Sequence, residues 1–102
     1  RSVVLEGFAR EPIQGVDAWM TFVEKAIEPY RQTQHMLGPP SVEIDGELAS
    51  VRTDLQALHF MREPKGKIFW LWGVYRSQLI REEDSSWLIQ KHRLDVWGSR
   101  RE

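Results

Sequence analysis

Both faces of one stretch of this chain are apolar, and that limits the fold more than any other feature. In residues 68–80, Ile68, Trp70, Trp72 and Val74 fall on one side of an extended strand, and Phe69, Leu71, Tyr75 and Leu79 on the other. A strand with one side in water alternates apolar and polar residues, so this one is covered twice: by a helix or a cavity on one face, by a second layer or another subunit on the other. Long alternating stretches flank it at residues 47–62 and 87–97, joined through the polar turns Glu63-Pro64-Lys65-Gly66 and Glu82-Glu83-Asp84-Ser85. Three long antiparallel strands with short turns form a meander.

Ahead of the meander, residues 2–8 are rich in β-branched and apolar side chains and read as a first strand, with a turn expected at Gln14-Gly15. The period then changes. Val16, Trp19, Met20, Val23, Ala26, Ile27 and Tyr30 follow helical spacing, and charged residues occupy the rest of the wheel. Asp17 suits the positive end of the helix dipole, and Pro29 ends the helix near Ile27 by removing a backbone donor and restricting Glu28. A short strand at 33–37, the breaker Gly38-Pro39-Pro40, and a second strand at 41–44 lead to a hairpin turn at Asp45-Gly46. The fold class expected is α+β: a strongly curved antiparallel sheet packed on one amphipathic helix.

A length of 102 residues suits one domain with one core. A net charge of −1 lacks the cationic excess that phosphate binding needs, so nucleic acid is not an expected partner. The basic pair Arg100-Arg101 reads as a solvated end. Without cysteine there are neither disulfides nor thiolate metal sites, and a cytoplasmic location is the expectation. The longest apolar run, residues 68–75, is far shorter than the ~20 residues of a membrane helix, and no signal peptide is read, so no membrane association is expected. The chain opens on Arg1 rather than Met, so the natural N-terminus is expected upstream.

The candidates for chemistry are two histidines. His59 shares a strand face with Val51, Thr53, Leu55, Ala57 and Met61, and His35 shares one with Thr33 and Leu37. Two imidazoles facing one dry cavity can accept a proton from carbon and return one to a leaving hydroxyl, with no metal or organic cofactor. The bland alternative is two hydrogen-bonded core or rim histidines. A histidine–carboxylate iron site would draw on Glu43 or Asp54, but Asp54 has the opposite parity to His59 and Glu43 lies near a turn. His92, between Lys91 and Arg93, reads as exposed. Trp19 and Trp87 read as core, Trp70 and Trp72 as candidates for a dimer interface, and Arg76 as a paired interface charge or a contact for an anionic group. Tyr75 reads as a hydroxyl donor in the pocket or a buried, backbone-bonded tyrosine.

The order of strand, helix and meander resembles the nuclear transport factor 2-like superfamily, and the details resemble its SnoaL-like branch. Carrying the resemblance are Gly15 before the helix, the segment Thr33-Gln34-His35-Met36-Leu37-Gly38, and Val42-Glu43-Ile44-Asp45-Gly46-Glu47-Leu48-Ala49, with Gly73-Val74-Tyr75, Leu79-Ile80-Arg81 and Trp87-Leu88-Ile89 further on. Within the branch, His35 and His59 are similar to the two pocket histidines of scytalone dehydratases, although the serine and asparagine of those enzymes are replaced near Val74 and Arg76. Their tyrosine and aspartate lie on N-terminal helices with no counterpart before Arg1. The resemblance implies a cone-shaped fold whose N-terminal helical segment is missing, a likeness covering nearly the whole chain, and a homodimer. It also implies a cofactor-independent lyase or isomerase acting on a small hydrophobic molecule, with His35 and His59 catalytic and Thr33, Leu55, Ala57 and Tyr75 shaping the substrate site. A non-catalytic binding or assembly module of the same fold is the alternative.

Overall fold

The unbroken register between two fourteen-residue strands organises the molecule. In the computed structural model, which describes residues 3–102, β5 (Leu48–Met61) and β6 (Ile68–Arg81) pair antiparallel from Leu48↔Ile80 to Phe60↔Ile68. β7 (Trp87–Arg101) continues the sheet beyond β6, while β3 (Tyr30–Leu37) and β4 (Ser41–Asp45) divide the other edge of β5 between them. The β6–β7 register shifts at Trp72/Gly73 and at Gln78/Leu79. Each bulge adds bend and twist, which is how a flat meander becomes a concave one.

The N-terminal elements close the far edge. β1 (Val4–Glu6) pairs with β7, and β2 (Ile13–Gln14) pairs back onto β1, giving the order β2-β1-β7-β6-β5-β3 with β4 also on β5. The β1–β7 pairing is parallel, so the sheet is mixed at this one place and antiparallel elsewhere. The first strand is shorter than the 2–8 expected, and the part of that expectation on Ser2 lies outside the described residues. Where a plain turn was expected, Ile13 and Gln14 pair with Leu5 and Val4, and Gly15 (φ 90°) donates its N–H to the Val3 carbonyl at 2.8 Å before the helix starts.

Helix α1 (Val16–Ile27) has the limits its periodicity predicts. Tyr30, which fits the helical spacing, instead opens β3 opposite Met61, because Pro29 has already stopped the helix. At the other end, Arg100 and Arg101 are not a loose tail. They pair with Trp70 and Phe69, and Ile68 and Glu102 exchange both backbone hydrogen bonds at 2.9 and 3.0 Å. The physical reason is the length of β6, whose first residues would otherwise lack a backbone partner on this side. The Arg101 guanidinium then lies over the Phe69 ring.

Little of this molecule is a filled core. The buried apolar residues are Leu5, Ala49, Leu55, Ala57 and Val74, and no residue of α1 is buried. The helix sets its apolar stripe over the concave face and leaves a hollow beneath. Trp19, expected in the core, is a wall of that hollow, and Trp87 lies under the Arg81 guanidinium, 5.5 Å from ring centre to carbon. On the outer face Trp70 and Trp72 stack at 5.8 Å, with the Trp72 indole donating to Gln56 at 3.1 Å and the buried Trp70 N–H unpartnered among the described residues. Arg76 is a paired charge, 2.9 Å from Asp95.

Candidate active site

The sheet register fixes which side chains meet. Thr33 lies opposite His59, and His35 opposite Ala57, so the two histidines are diagonal neighbours on one face of adjacent strands. Their rings approach edge to face, with centroids 5.8 Å apart at 76°. Tyr30 (4.9 Å) and Phe69 (5.2 Å) flank the His59 ring. Nδ1 of His59 is 3.2 Å from the Phe69 carbonyl oxygen. A carbonyl only accepts, so this nitrogen carries the hydrogen and Nε2 is left free as a base. The His35 pKa lies below the ordinary histidine value, first because burial disfavours its charged form and second because His59 would repel a cation there.

These groups open onto a cavity of about 460 Å³ between the concave face and α1. Thr33, His35, Leu55, Ala57, His59 and Tyr75 all line it, together with Phe22 and Val23 from the helix and Leu71 and Leu94 from the sheet. The volume and apolar lining suit a small organic ligand. Of the other residues that share strand parity with the histidines, Leu37 lies over half exposed in a groove with Met36 and Trp97, away from this hollow.

Sequence reasoning missed several walls. Tyr30 was hidden by its fit to the helical period, and Phe8 by its place at the end of the expected first strand; both line the cavity. His92, read as exposed from its charged neighbours, is half-buried. Its ring sits 4.7 Å from Tyr75 and 5.8 Å from Phe8, its Nδ1 is 2.7 Å from Ser77 Oγ, and burial lowers its pKa. Strand alternation explains the difference: Lys91 and Arg93 turn out to Glu6 and Asp95 while His92 turns in. Tyr75 faces the hollow, but not beside His59. Its partner on β5 is Thr53, six residues from His59, or roughly 20 Å of strand contour.

The carboxylates weighed for a metal are elsewhere. Asp54 pairs with Arg52 at 3.4 Å, Glu43 lies on β4 opposite Ser50, and among the described residues no three His, Asp or Glu side chains cluster. No helix among the described residues is long and apolar enough to cross a membrane.

The profile of the SnoaL-like domain matches residues 2–93, nine-tenths of the sequence. The chain belongs to the SnoaL-like domain family. A search of curated proteins finds no match. Among solved structures, this SnoaL-like chain is similar to a hexachlorocyclohexane dehydrochlorinase (LinA) of type 2, at 14% identity and TM-score 0.84, covering 97% of this chain and 67% of that one. It is also similar to a provisionally named scytalone dehydratase from Novosphingobium aromaticivorans DSM 12444, at 18% identity and TM-score 0.80, covering 96% and 65%. A third structure is the Kfla4162 protein from Kribbella flavida, at 14% identity and TM-score 0.82, covering 96% and 71%. The SnoaL-like chain therefore spans about two thirds of the length of these neighbours, and at such identities the likeness concerns the fold. That fold is the α+β cone of the nuclear transport factor 2-like superfamily, its curved sheet left open at the edges.

Proposed function

We propose that this SnoaL-like protein is a cofactor-independent lyase or isomerase that moves protons on a small, hydrophobic, oxygenated molecule. The observation that carries the reading is the convergence of His35 and His59 in one apolar hollow. Nε2 of His59 removes the proton from the carbon beside a ketone, and the Phe69 carbonyl stabilises the imidazolium that forms. His35, kept neutral by burial, offers an N–H to the ketone oxygen as charge develops there. A hydroxyl on the next carbon then leaves as the double bond forms and takes the proton held by His59, so water departs and both imidazoles return to their starting state. The hydrophobic lining supplied by Leu55 and Ala57, with Thr33 beside the histidines, holds the substrate frame. Two of the fold's neighbours are named for eliminations, one of hydrogen chloride and one of water, which is the same class of step.

A β-hydroxytetralone is a suitable probe, because loss of water yields a fluorescent naphthol. Turnover by the wild type and its loss in His35→Ala and His59→Ala, with the fold intact by circular dichroism, is the expected result. Absence of turnover by the wild type, or turnover undiminished in both variants, rejects the assignment.

The second reading is a non-catalytic binding or assembly module, favoured by the apolar side chains left in water around a groove at the end of β3. Met36, Leu37 and Trp97 are each more than half exposed around this groove. We propose that this surface, with Trp72, joins two copies of the chain as a homodimer. Sedimentation at increasing concentration checks it, and a monomer throughout rejects it.

A further inference from the structure

Resting on the ligand-site reading above, we infer that the cavity has a second polar pole, formed by Tyr75 and held in place by His92 and Ser77, which takes an uncharged oxygen at the end of the ligand remote from His59. The two poles stand on one continuous β5–β6 register, Phe69 opposite His59 and Tyr75 opposite Thr53. Six residues of strand separate them, roughly 20 Å of contour, more than a phenol and an imidazole jointly span. Between them the floor is apolar, made of Leu55, Ala57 and Leu71.

The far pole is built as a rigid unit. Phe8, Tyr75 and His92 form a mutual cluster, with ring centroids 6.3 Å apart for Phe8–Tyr75, 5.8 Å for Phe8–His92 and 4.7 Å for Tyr75–His92. The hydrogen bond between Ser77 Oγ and His92 Nδ1 fixes the imidazole plane against which the phenol packs. The phenol hydroxyl has no partner among the described side chains, and it is not sealed in, so it remains available to a ligand. Burial raises the Tyr75 pKa and lowers that of His92, so both are neutral at physiological pH. Among the described residues no cation lines the hollow here, and Lys91 is paired with Glu6 and Arg93 with Asp95 on the opposite face. A neutral donor without a nearby cation selects a ketone, hydroxyl or ether oxygen over a carboxylate or phosphate. The substrate class is thereby narrowed to an elongated, largely apolar molecule with oxygens at both ends. His92 and Ser77 act as positioning residues for Tyr75.

The test compares two rigid probes by calorimetry: an acetylnaphthalene with one ketone, and its diacetyl analogue with a second ketone on the far ring. The wild type is expected to bind the diketone about fivefold more tightly, the gain from one hydrogen bond. Tyr75→Phe abolishes this advantage. Ser77→Ala reduces the advantage and Ser77→Thr restores it, while the carbonyl carbon resonance of labelled diketone moves downfield on binding to the wild type but not to Tyr75→Phe. A second ketone that adds nothing, or an advantage that survives in Tyr75→Phe, overturns the inference. These are binding readouts, so they stand or fall separately from the turnover assay on the histidine pair.

Discussion

Nδ1 of His59 donates to the main-chain carbonyl of Phe69 on the neighbouring strand, 3.2 Å away, and this contact decides which nitrogen of the ring faces the cavity. A backbone acceptor cannot be lost by mutation of its side chain, so the tautomer is set by the β5–β6 register itself.

His59→Asn follows from that contact. The asparagine amide occupies roughly the place of Nδ1 and keeps the bond to Phe69, but no atom replaces Nε2. The variant is expected to fold with near wild-type stability and to lose at least a hundredfold in turnover, about the usual contribution of a positioned base. Thermal melting and steady-state kinetics on the same sample check it; retained turnover would remove the base from Nε2.

Acid should act on both activity and stability. His35 and His92 have folded pKa values below the ordinary 6.5, so the folded protein binds fewer protons than the unfolded chain just below that pH. Their contribution is therefore intact above about 6.5 and is lost as pH falls through the folded values. Turnover falls over the same window as His35 becomes a cation facing His59. Imidazole resonances followed by NMR should show His35 titrating below the ordinary value, and moving upward in His59→Asn, where the repelling neighbour is gone. A His35 midpoint unmoved by that substitution would contradict the coupling.

Glycine substitutions separate close approach from backbone preference. A Cβ on Gly73, at the β6 bulge, would lie 2.3 Å from the Asp95 carbonyl oxygen. Gly73→Ala is expected to cost about 2 kcal/mol in urea unfolding, as overpacking against backbone does. At Gly46 nothing lies within 4 Å of the added atom and only its φ of 62° is unfavourable, so Gly46→Ala costs about 1 kcal/mol. Equal losses would mean that the bulge relaxes freely.

The meander was legible because period-two alternation over long strands, broken by polar turns, has few other solutions. One face of β6 meets the hollow and α1, as expected, whereas on the other its own Trp70 and Trp72 stack on each other and no second layer packs there among the described residues. The six site residues expected from the family resemblance and from shared strand faces line one cavity, because register carries parity from strand to strand. What local pattern could not carry was position along the strands. It placed Tyr75 on the correct face without its distance from His59, and it read His92 from charged neighbours that alternation turns the other way. β2 is set by partners rather than composition, since two residues become a strand only by pairing with β1. The extension of β7 to Arg101 likewise depends on the length of its neighbour.

Deuterium exchange at the carbon beside the ketone of a β-tetralone, followed by NMR in heavy water, isolates proton abstraction from every later step. With the wild-type protein the α-proton signal should disappear well ahead of the buffer rate, and with His59→Ala it should fade at the buffer rate. Exchange no faster than buffer, or equally fast without the His59 imidazole, would contradict the proton-transfer account.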